Sequence, residues 1–167
     1  MLFRSWCEDR LLVEAAEGRP PPGVSPEDLE TSLPSMVDMD GLRDYLEPMQ
    51  LEAGELLVRQ GEPAEDMFFI ERGRMTVLLE MPDGTSKRLR TMMPHTLVGE
   101  VALYLGAPRS STVVAEDRCI LYRLSRTSLE RIERAEPTLA AAFHRLVARL
   151  TAERLVDATG ALEDLLL

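Results

Sequence analysis

The chain is poor in the residues on which metal and nucleophilic sites most often depend. Its 167 residues include two cysteines and two histidines. Cys7 and Cys119 lie far apart and form no metal-type pair, which predicts ordinary thiols in a reducing compartment. His95 and His144 are too few for a cupin-type barrel enzyme, which needs several inward histidine or carboxylate ligands. The sequence therefore predicts no metal, no cofactor and no enzymatic activity.

Excess basic charge and long apolar runs are also missing. The formal net charge is -10, and only Lys87 among the 19 basic residues is a lysine. Such a charge disfavours non-specific binding to nucleic acid, which depends on neutralising phosphates. No apolar stretch approaches the roughly 20 residues needed to span a bilayer, and the start lacks the apolar core of a signal peptide. We expect a soluble chain in the cytoplasm that binds no nucleic acid.

The first 48 residues have helical patterns interrupted by prolines. Leu2–Glu17 places its apolar residues on one loose helical face, and the run Pro20–Pro22 ends that pattern. Ser25–Asp28 is typical of a helix start, with a capping serine followed by proline and two acids. Asp40–Leu46 permits another short helix. Residues 1–48 are predicted to form a helical extension or linker.

From Met49 onwards the pattern changes to short β-favouring runs separated by turn residues. Regular spacing of this kind predicts an antiparallel barrel or jelly roll. The six predicted strands are Glu55–Arg59, Met67–Glu71, Arg74–Glu80, Arg88–Met92, Thr112–Ala115 and Cys119–Leu124.

A helical period returns after the last strand. Ser125 is a suitable N-cap for a first helix, and Pro137 separates it from a second. Leu139, Phe143, Leu146 and Leu150 then form one apolar stripe. Residues 158–167 are expected to fray, so the globular domain is predicted to cover 49–157. The order of helices, strands and helices predicts an α+β fold.

One segment between the strands, Val98–Val113, has the composition of a ligand site. Gly99 lets backbone approach a ligand, and a short helix that opens after it presents free N–H groups. Arg109 offers a charged fork for a phosphate, and the Glu100 carboxylate can accept a hydrogen bond from a ribose hydroxyl. Together these groups favour a singly charged cyclic phosphate next to a sugar.

This segment closely resembles the phosphate-binding cassette of the cyclic nucleotide-binding domain family. The matching positions are Gly99, Glu100, Ala102, Leu103, Pro108, Arg109, Ser110 and Val113. The resemblance extends over about Met49 to Leu150 and includes the runs 53–63 and 68–73. It implies that the chain binds cAMP or cGMP in a β-barrel pocket.

The resemblance also implies a role for each residue of the site. Arg109, Ser110 and Ala102 would hold the phosphate, and Glu100 and Gly99 would hold the ribose. The base would lie between the barrel and the last helix. Candidates for that base pocket are Val77, Arg88, Leu89, Phe143, Arg145, Leu146 and Arg149.

Two departures from the family pattern leave questions open. Met93-Pro94-His95 stands where the family often has Gly-Pro-Gly, and Ser110 is neither of the residues common in cAMP-selective and cGMP-selective eukaryotic sites. The choice between cAMP and cGMP therefore stays open. Arg109 could also pair with Glu100 in an empty pocket, which would make the chain a ligand-free interaction or dimerisation module.

The expected function is regulatory, with the two C-terminal helices repacking as a lid when ligand binds. Members of the family that regulate transcription carry a helix-turn-helix domain after the long helix, and about ten residues follow Asp157 here. The segment Trp6–Leu12 resembles the one that follows the STAS domain in bacterial SulP-type anion transporters. This implies a membrane transporter as attached or partner effector, a position at the inner face of the cytoplasmic membrane, and a possible homodimer through the last helix.

Overall fold

In the computed structural model, residues 41–166 are described. The helices predicted at Leu2–Glu17 and from Ser25 lie outside these residues. The described part contains eight strands, three α-helices and one short 3-10 helix, Gly41–Tyr45.

Eight strands form two antiparallel four-stranded sheets. The first sheet has the order β1-β8-β3-β6, and the second has the order β2-β7-β4-β5. The strands are β1 Glu47–Leu51, β2 Leu56–Val58, β3 Asp66–Arg72, β4 Met75–Glu80, β5 Ser86–Met92, β6 Leu97–Val98, β7 Thr112–Ala115 and β8 Cys119–Ser125. This is the α+β jelly roll that the sequence predicted.

Two strands were not predicted. β1 carries polar residues and Pro48, and it lies at the edge of its sheet, where proline removes no obligatory hydrogen bond. β6 has only two residues, Leu97 and Val98, which pair with Phe69 and Phe68. The six predicted strands all form, with ends shifted by two residues at most.

The three α-helices are α1 Glu100–Leu105, α2 Arg126–Ala135 and α3 Pro137–Leu166. Ser125 caps α2 as predicted, because its side-chain oxygen accepts a hydrogen bond from the Ser128 backbone N–H. α3 continues to Leu166, through most of the segment 158–167 that the sequence predicts to fray. Gly160 is tolerated within the helix, at a cost of about 1 kcal/mol relative to alanine.

The residues of β3 divide between two hydrophobic cores. Phe68 and Ile70 pack between the two sheets, whereas Met67 and Phe69 belong to the core between the first sheet and the helices. This alternation follows from the two-residue period of a strand. Because α2 and α3 complete the second core, the helices are held directly behind the sheet that carries α1.

The segment that enters β1 also contacts the helices. The Tyr45 hydroxyl donates a hydrogen bond to Glu136 Oε1 at 2.7 Å, and the Arg131 guanidinium lies 5.2 Å from the centre of the Tyr45 ring. Across residues 41–166, no helix is both long enough and apolar enough to cross a membrane.

Candidate ligand-binding site

The site is built on the turn from β6 into α1. Gly99 adopts φ 86°, in the left-handed region that favours glycine. A Cβ atom at this position would overlap Nη1 of Arg109. Glycine is therefore required here both by the backbone conformation and by the close approach of the arginine.

Arg109 is 5% exposed, although it is charged. Its Nη2 donates to Asp66 Oδ1, and its Nη1 donates to the Gly99 carbonyl oxygen at 3.2 Å. The guanidinium carbon lies 5.9 Å from the centre of the Phe68 ring. A guanidinium has five N–H donors, so this arrangement fixes the group and leaves donors for an anion.

Asp66 also holds a second arginine. Its Oδ2 accepts from Nε of Arg123 at 2.7 Å, and Arg123 Nη1 donates to Glu47 at 2.9 Å. The hydrogen bond to Asp66 raises the pKa of Arg123. One carboxylate at the start of β3 therefore orients two guanidiniums, and only Arg109 reaches the cavity.

Glu100, at 2% exposure, pairs with an arginine of the last helix. Nη1 of Arg154 donates to Glu100 Oε1, and Nη2 donates to the Leu97 carbonyl oxygen at 2.7 Å. A buried carboxylate needs such a partner, since an uncompensated charge costs several kcal/mol. The pair uses Oε1, and a carboxylate accepts hydrogen bonds on both oxygens.

A cavity lies between the cassette, the second sheet and α3. With its open mouth it encloses about 470 Å³ of empty space. Of the phosphate and ribose residues predicted from the sequence, all five line it, and Val77 is the predicted base residue that does so. The residues that line the cavity include Val77, Arg90, Met92, Gly99, Glu100, Ala102, Arg109, Ser110, Val113 and Arg154.

Arg88 and Leu89 do not line this cavity, because a β-bulge changes the facing of β5. Val77 pairs with Arg90, but the next residue, Leu78, pairs with Arg88, so Leu89 is the extra residue. Arg88 consequently binds Glu116 at 2.6 Å on the outer face, and Leu89 is 54% exposed. On this strand Arg90 and Met92 line the cavity, in place of the predicted Arg88 and Leu89.

The predicted helix residues also lie away from the cavity lining. Phe143 is fully buried in the core between the first sheet and the helices, where Leu146 packs as well. Arg145 is exposed, and Arg149 binds Glu153 one turn along α3 at 3.0 Å. The helix instead presents Arg154, a full turn beyond Leu150.

Three residues of the site were missed: Asp66, Arg90 and Arg154. The apolar stripe of the last helix could have identified Arg154, because it continues the stripe four residues after Leu150. Side chains two residues apart on a strand share a face, so the buried Met92 predicts that Arg90 faces the same side. A single acid at the start of a strand gives no comparable signal, so Asp66 could not be recognised from the sequence.

Two further contacts join α1 to the C-terminal helices. Nη2 of Arg126, the first residue of α2, donates to the Leu103 carbonyl oxygen at 3.0 Å. The Tyr104 oxygen lies 2.6 Å from Nδ1 of His144, whose Nε2 is 3.2 Å from Glu133. Burial, with Glu133 nearby, raises the pKa of Tyr104. Together with the Arg154 pair, these contacts hold α1 against both helices.

Comparison with known proteins identifies the family. The model of the cyclic nucleotide-binding domain matches residues 48–135, more than half of the chain. The chain belongs to the cyclic nucleotide-binding domain family. Within residues 41–166, no cluster of three or more histidine, cysteine or acidic side chains could hold a metal ion.

The curated relatives of this chain are much longer proteins. The acetyltransferase Pat of Mycolicibacterium smegmatis is 36% identical over 70% of this chain and 33% of its own length. The chain spans a third or less of the first curated relatives that it matches.

Two solved structures are similar to this chain. A cyclic nucleotide-binding domain from Methylobacillus flagellatus superimposes with a TM-score of 0.72 over 76% of this chain and 71% of its own, at 20% identity. A cAMP-binding acyltransferase from Mycobacterium smegmatis is 33% identical, with a TM-score of 0.59 over 73% of this chain and 36% of its own. The first supports the fold, and the second shows a relative that binds cAMP.

Proposed function

We propose that this domain is a sensor that binds cAMP or cGMP between its cassette and its second sheet, and that it is not itself a catalyst. The observation that carries the proposal is the convergence of two nearly buried charges, Glu100 and Arg109, on one cavity. Each charge is fixed by the protein, while atoms suited to the ligand remain: donors on the guanidinium and the second carboxylate oxygen.

In the proposed complex, Arg109 and backbone N–H groups at the start of α1 bind the cyclic phosphate. Ser110 and Ala102 line the same end of the cavity, and Glu100 accepts a hydrogen bond from the ribose 2′-hydroxyl. Asp66 keeps Arg109 in place before the ligand arrives. Such preorganisation reduces the ordering cost of binding.

Calorimetric titration with cAMP and cGMP tests the site. Arg109→Ala should weaken binding about 10- to 100-fold, since hydrogen bonds to charged groups contribute about 1.5–3 kcal/mol. Arg118→Ala is the control, because Arg118 is exposed and pairs with Glu52 at 3.5 Å. Equal heats from wild type and Arg109→Ala would contradict the assignment, and circular dichroism shows whether each variant is folded.

The regulatory output is proposed to be a change in how α3 packs. Ligand that binds Glu100 changes the hydrogen bonding of the carboxylate with which Arg154 pairs. The resulting movement of α1 reaches α2 and α3 through the contacts of Leu103 and Tyr104. The ligand can shift this equilibrium only by its difference in affinity for the two arrangements.

Hydrogen exchange of the α3 backbone tests this output. Saturating nucleotide should change the protection of the turn around Arg154 in wild type, and Arg154→Ala should reduce that change. Arg149→Ala provides a matched control on the same helix, since Arg149 does not line the cavity. Ligand binding without any change in α3 protection would argue against the switch.

The alternative function is a ligand-free module for dimerisation. Leu155 and Val156 on α3 are 68% and 70% exposed, so we extend the proposal to a homodimer formed through this helix. Sedimentation velocity should show that Leu155→Glu lowers the dimer fraction, whereas Leu105→Glu on α1 does not. Dimers without any nucleotide binding in calorimetry would favour the alternative over the sensor.

We also propose that the effector is a membrane transporter of the SulP type, which would position the domain in the cytoplasm at the membrane face. Support comes from the sequence resemblance of Trp6–Leu12 alone. The genomic sequence upstream of the Met1 codon tests the attached form. In-frame membrane helices followed by a STAS domain would support it, and a different upstream domain would contradict it.

A further inference from the structure

A group of polar side chains lies at the start of β7, next to the cassette. Thr112 is buried, and its hydroxyl accepts a hydrogen bond from the Gln60 backbone N–H at 2.9 Å. The same hydroxyl donates to Glu80 Oε1 at 2.5 Å. β7 lies between β2 and β4 in the second sheet; Gln60 follows β2, and Glu80 is the last residue of β4. One hydroxyl therefore joins the segments on either side of β7.

The Gln60 side chain connects those two segments directly. Its Nε2 donates to the Glu80 carbonyl oxygen at 3.2 Å, and its Oε1 accepts from the Glu80 backbone N–H at 2.8 Å. A side-chain amide has one acceptor and a donor group, so it pairs with a backbone as a neighbouring strand would. Gln60, Glu80 and Thr112 are called the β7 polar cluster below, because they surround the point where the cassette enters β7.

The loop that begins at Gln60 also holds the backbone of Arg109. The Gly61 N–H donates to the Arg109 carbonyl oxygen at 2.8 Å, and the Arg109 N–H donates to the Glu62 carbonyl oxygen at 2.9 Å. Arg109 and Thr112 are thus both attached to one loop, and residues 110–111 form the short span between these two attachments.

The span 110–111 faces the ligand cavity. Ser110 and Ser111 both line it. A span of two residues that is held at both ends by hydrogen bonds has little freedom to move. Its N–H and hydroxyl groups therefore approach a bound phosphate from a fixed direction, and the Arg109 guanidinium approaches from another. The two exocyclic oxygens of a cyclic phosphate would then meet different donors.

We propose that Thr112 is a positioning residue for phosphate recognition, which acts through the span 110–111 and does not touch the ligand. This inference rests on the proposed function, since it assumes that a cyclic phosphate occupies the cavity. Loss of the hydroxyl removes the bonds that attach one end of the span to Gln60 and Glu80. Binding groups need to be held to within about 0.5 Å, so a span that moves both binds and discriminates less well.

Phosphorothioate analogues test the proposal, because sulfur replaces one exocyclic oxygen in the Rp isomer and the other in the Sp isomer. Both isomers of cAMP or cGMP, whichever binds more tightly, are titrated calorimetrically into the full chain. Wild type should prefer one isomer by at least about fivefold, since sulfur is a weak acceptor for one of two unlike donors. Thr112→Val should bring the two affinities within about twofold and weaken the parent nucleotide about tenfold.

Three further variants separate positioning from a general loss of stability. Thr112→Ser keeps the hydroxyl and should retain the isomer preference. Gln60→Ala leaves Thr112 in place but removes the amide bridge to Glu80, and should reduce the preference. Thr76→Val is the matched control: the Thr76 hydroxyl donates to Glu116 on the outer face of the same sheet, and its loss should leave the preference unchanged.

The outcomes distinguish this inference from the sensor proposal. Circular dichroism shows which variants are folded, and Gln60→Ala decides the result if Thr112→Val is not. Equal binding of the two isomers by wild type would overturn the inference while the sensor proposal stands. The same holds if the folded cluster variants keep the wild-type preference, or if Thr76→Val reduces it as much as they do. If wild type binds neither cAMP nor cGMP, the sensor proposal itself fails.

Discussion

Arg123 binds the carboxylate oxygen of Asp66 that Arg109 does not use, with 2.7 Å between its Nε and Oδ2. Asp66 therefore forms ion pairs with two guanidiniums from different parts of the chain. The side chain of Arg109 is 4% exposed, so Asp66 and not solvent compensates its positive charge. The position of Arg109 is thus determined by a residue outside the cassette.

Asp66→Asn should destabilise the domain by about 3 kcal/mol, because it leaves the buried guanidinium of Arg109 without its carboxylate partner, whereas Arg123 keeps Glu47. Urea denaturation monitored by circular dichroism measures this loss. Glu65→Gln is the control: Glu65 pairs with Arg126 on the exposed surface, and such pairs contribute about 0–1 kcal/mol. Similar losses in the two variants would show that Asp66 does not compensate a buried charge.

Gly99→Ala should be more destabilising than Gly84→Ala, although both glycines have nearly the same positive φ. At Gly84 a Cβ meets no atom within 4 Å, so only the left-handed conformation is penalised, by about 1–2 kcal/mol. At Gly99 it also displaces Arg109, and nucleotide binding should weaken. Equal losses of stability with unchanged binding would contradict the close approach of the arginine.

The carboxylate of Glu116 makes the outer face of the second sheet sensitive to acid. The Thr76 hydroxyl lowers the pKa of Glu116 from its ordinary value of 4.5, and Arg88 and Arg74 lower it further. The folded state therefore takes up this proton less readily than the unfolded chain. The resulting stabilisation is complete above about pH 4.5 and is lost as the pH falls through the lowered pKa.

Glu116→Gln should accordingly show a smaller decrease of unfolding free energy between pH 6 and pH 3 than wild type. Denaturant titrations at several pH values measure this dependence. Glu130→Gln, at an exposed helix pair with Arg134, serves as the control for loss of a surface carboxylate. An unchanged pH profile in Glu116→Gln would show that this cluster does not contribute to acid sensitivity.

His95 is the described non-glycine residue with a positive φ, 66°. Its backbone N–H donates to the Ile70 carbonyl oxygen at 2.8 Å, which fixes this conformation. His95→Gly should therefore be more stable than His95→Val by about 1–2 kcal/mol, since a branched side chain is poorly accommodated in the left-handed region.

The same pair of substitutions at His144 provides a control with the opposite sign. His144 lies within α3, where valine is preferred to glycine by a few tenths of a kcal/mol. Thermal unfolding of all four variants gives the comparison. A more stable valine variant at both positions would show that the backbone at His95 is not strained.

Short-range patterns determined how much of the fold could be predicted. The alternation of Met75, Val77 and Leu79 and the capping sequence at Ser125 are local, so strands and helix starts followed from them. β6 was missed because two residues contain no period, and it is stabilised by pairing with Phe68 and Phe69. The pairing of a short segment with a distant strand cannot be predicted from the sequence of that segment alone.

The candidate site shows the same limit. Glu100 and Arg109 belong to one contiguous motif, and both line the cavity. Which β5 residues face the cavity depends on a β-bulge that the sequence does not reveal, so the sequence predicts Arg88 whereas Arg90 lines the wall. Arg154 lies 54 residues from its partner Glu100, a contact that only the packing of α3 creates.

The hydrogen bond from Tyr45 to Glu136 connects the segment that leads into the barrel with the junction of α2 and α3. If the junction rotated as proposed, the segment that enters β1 would move together with α3, because this hydrogen bond joins them. A domain fused ahead of the barrel and a domain fused after α3 would then both be coupled to the same displacement.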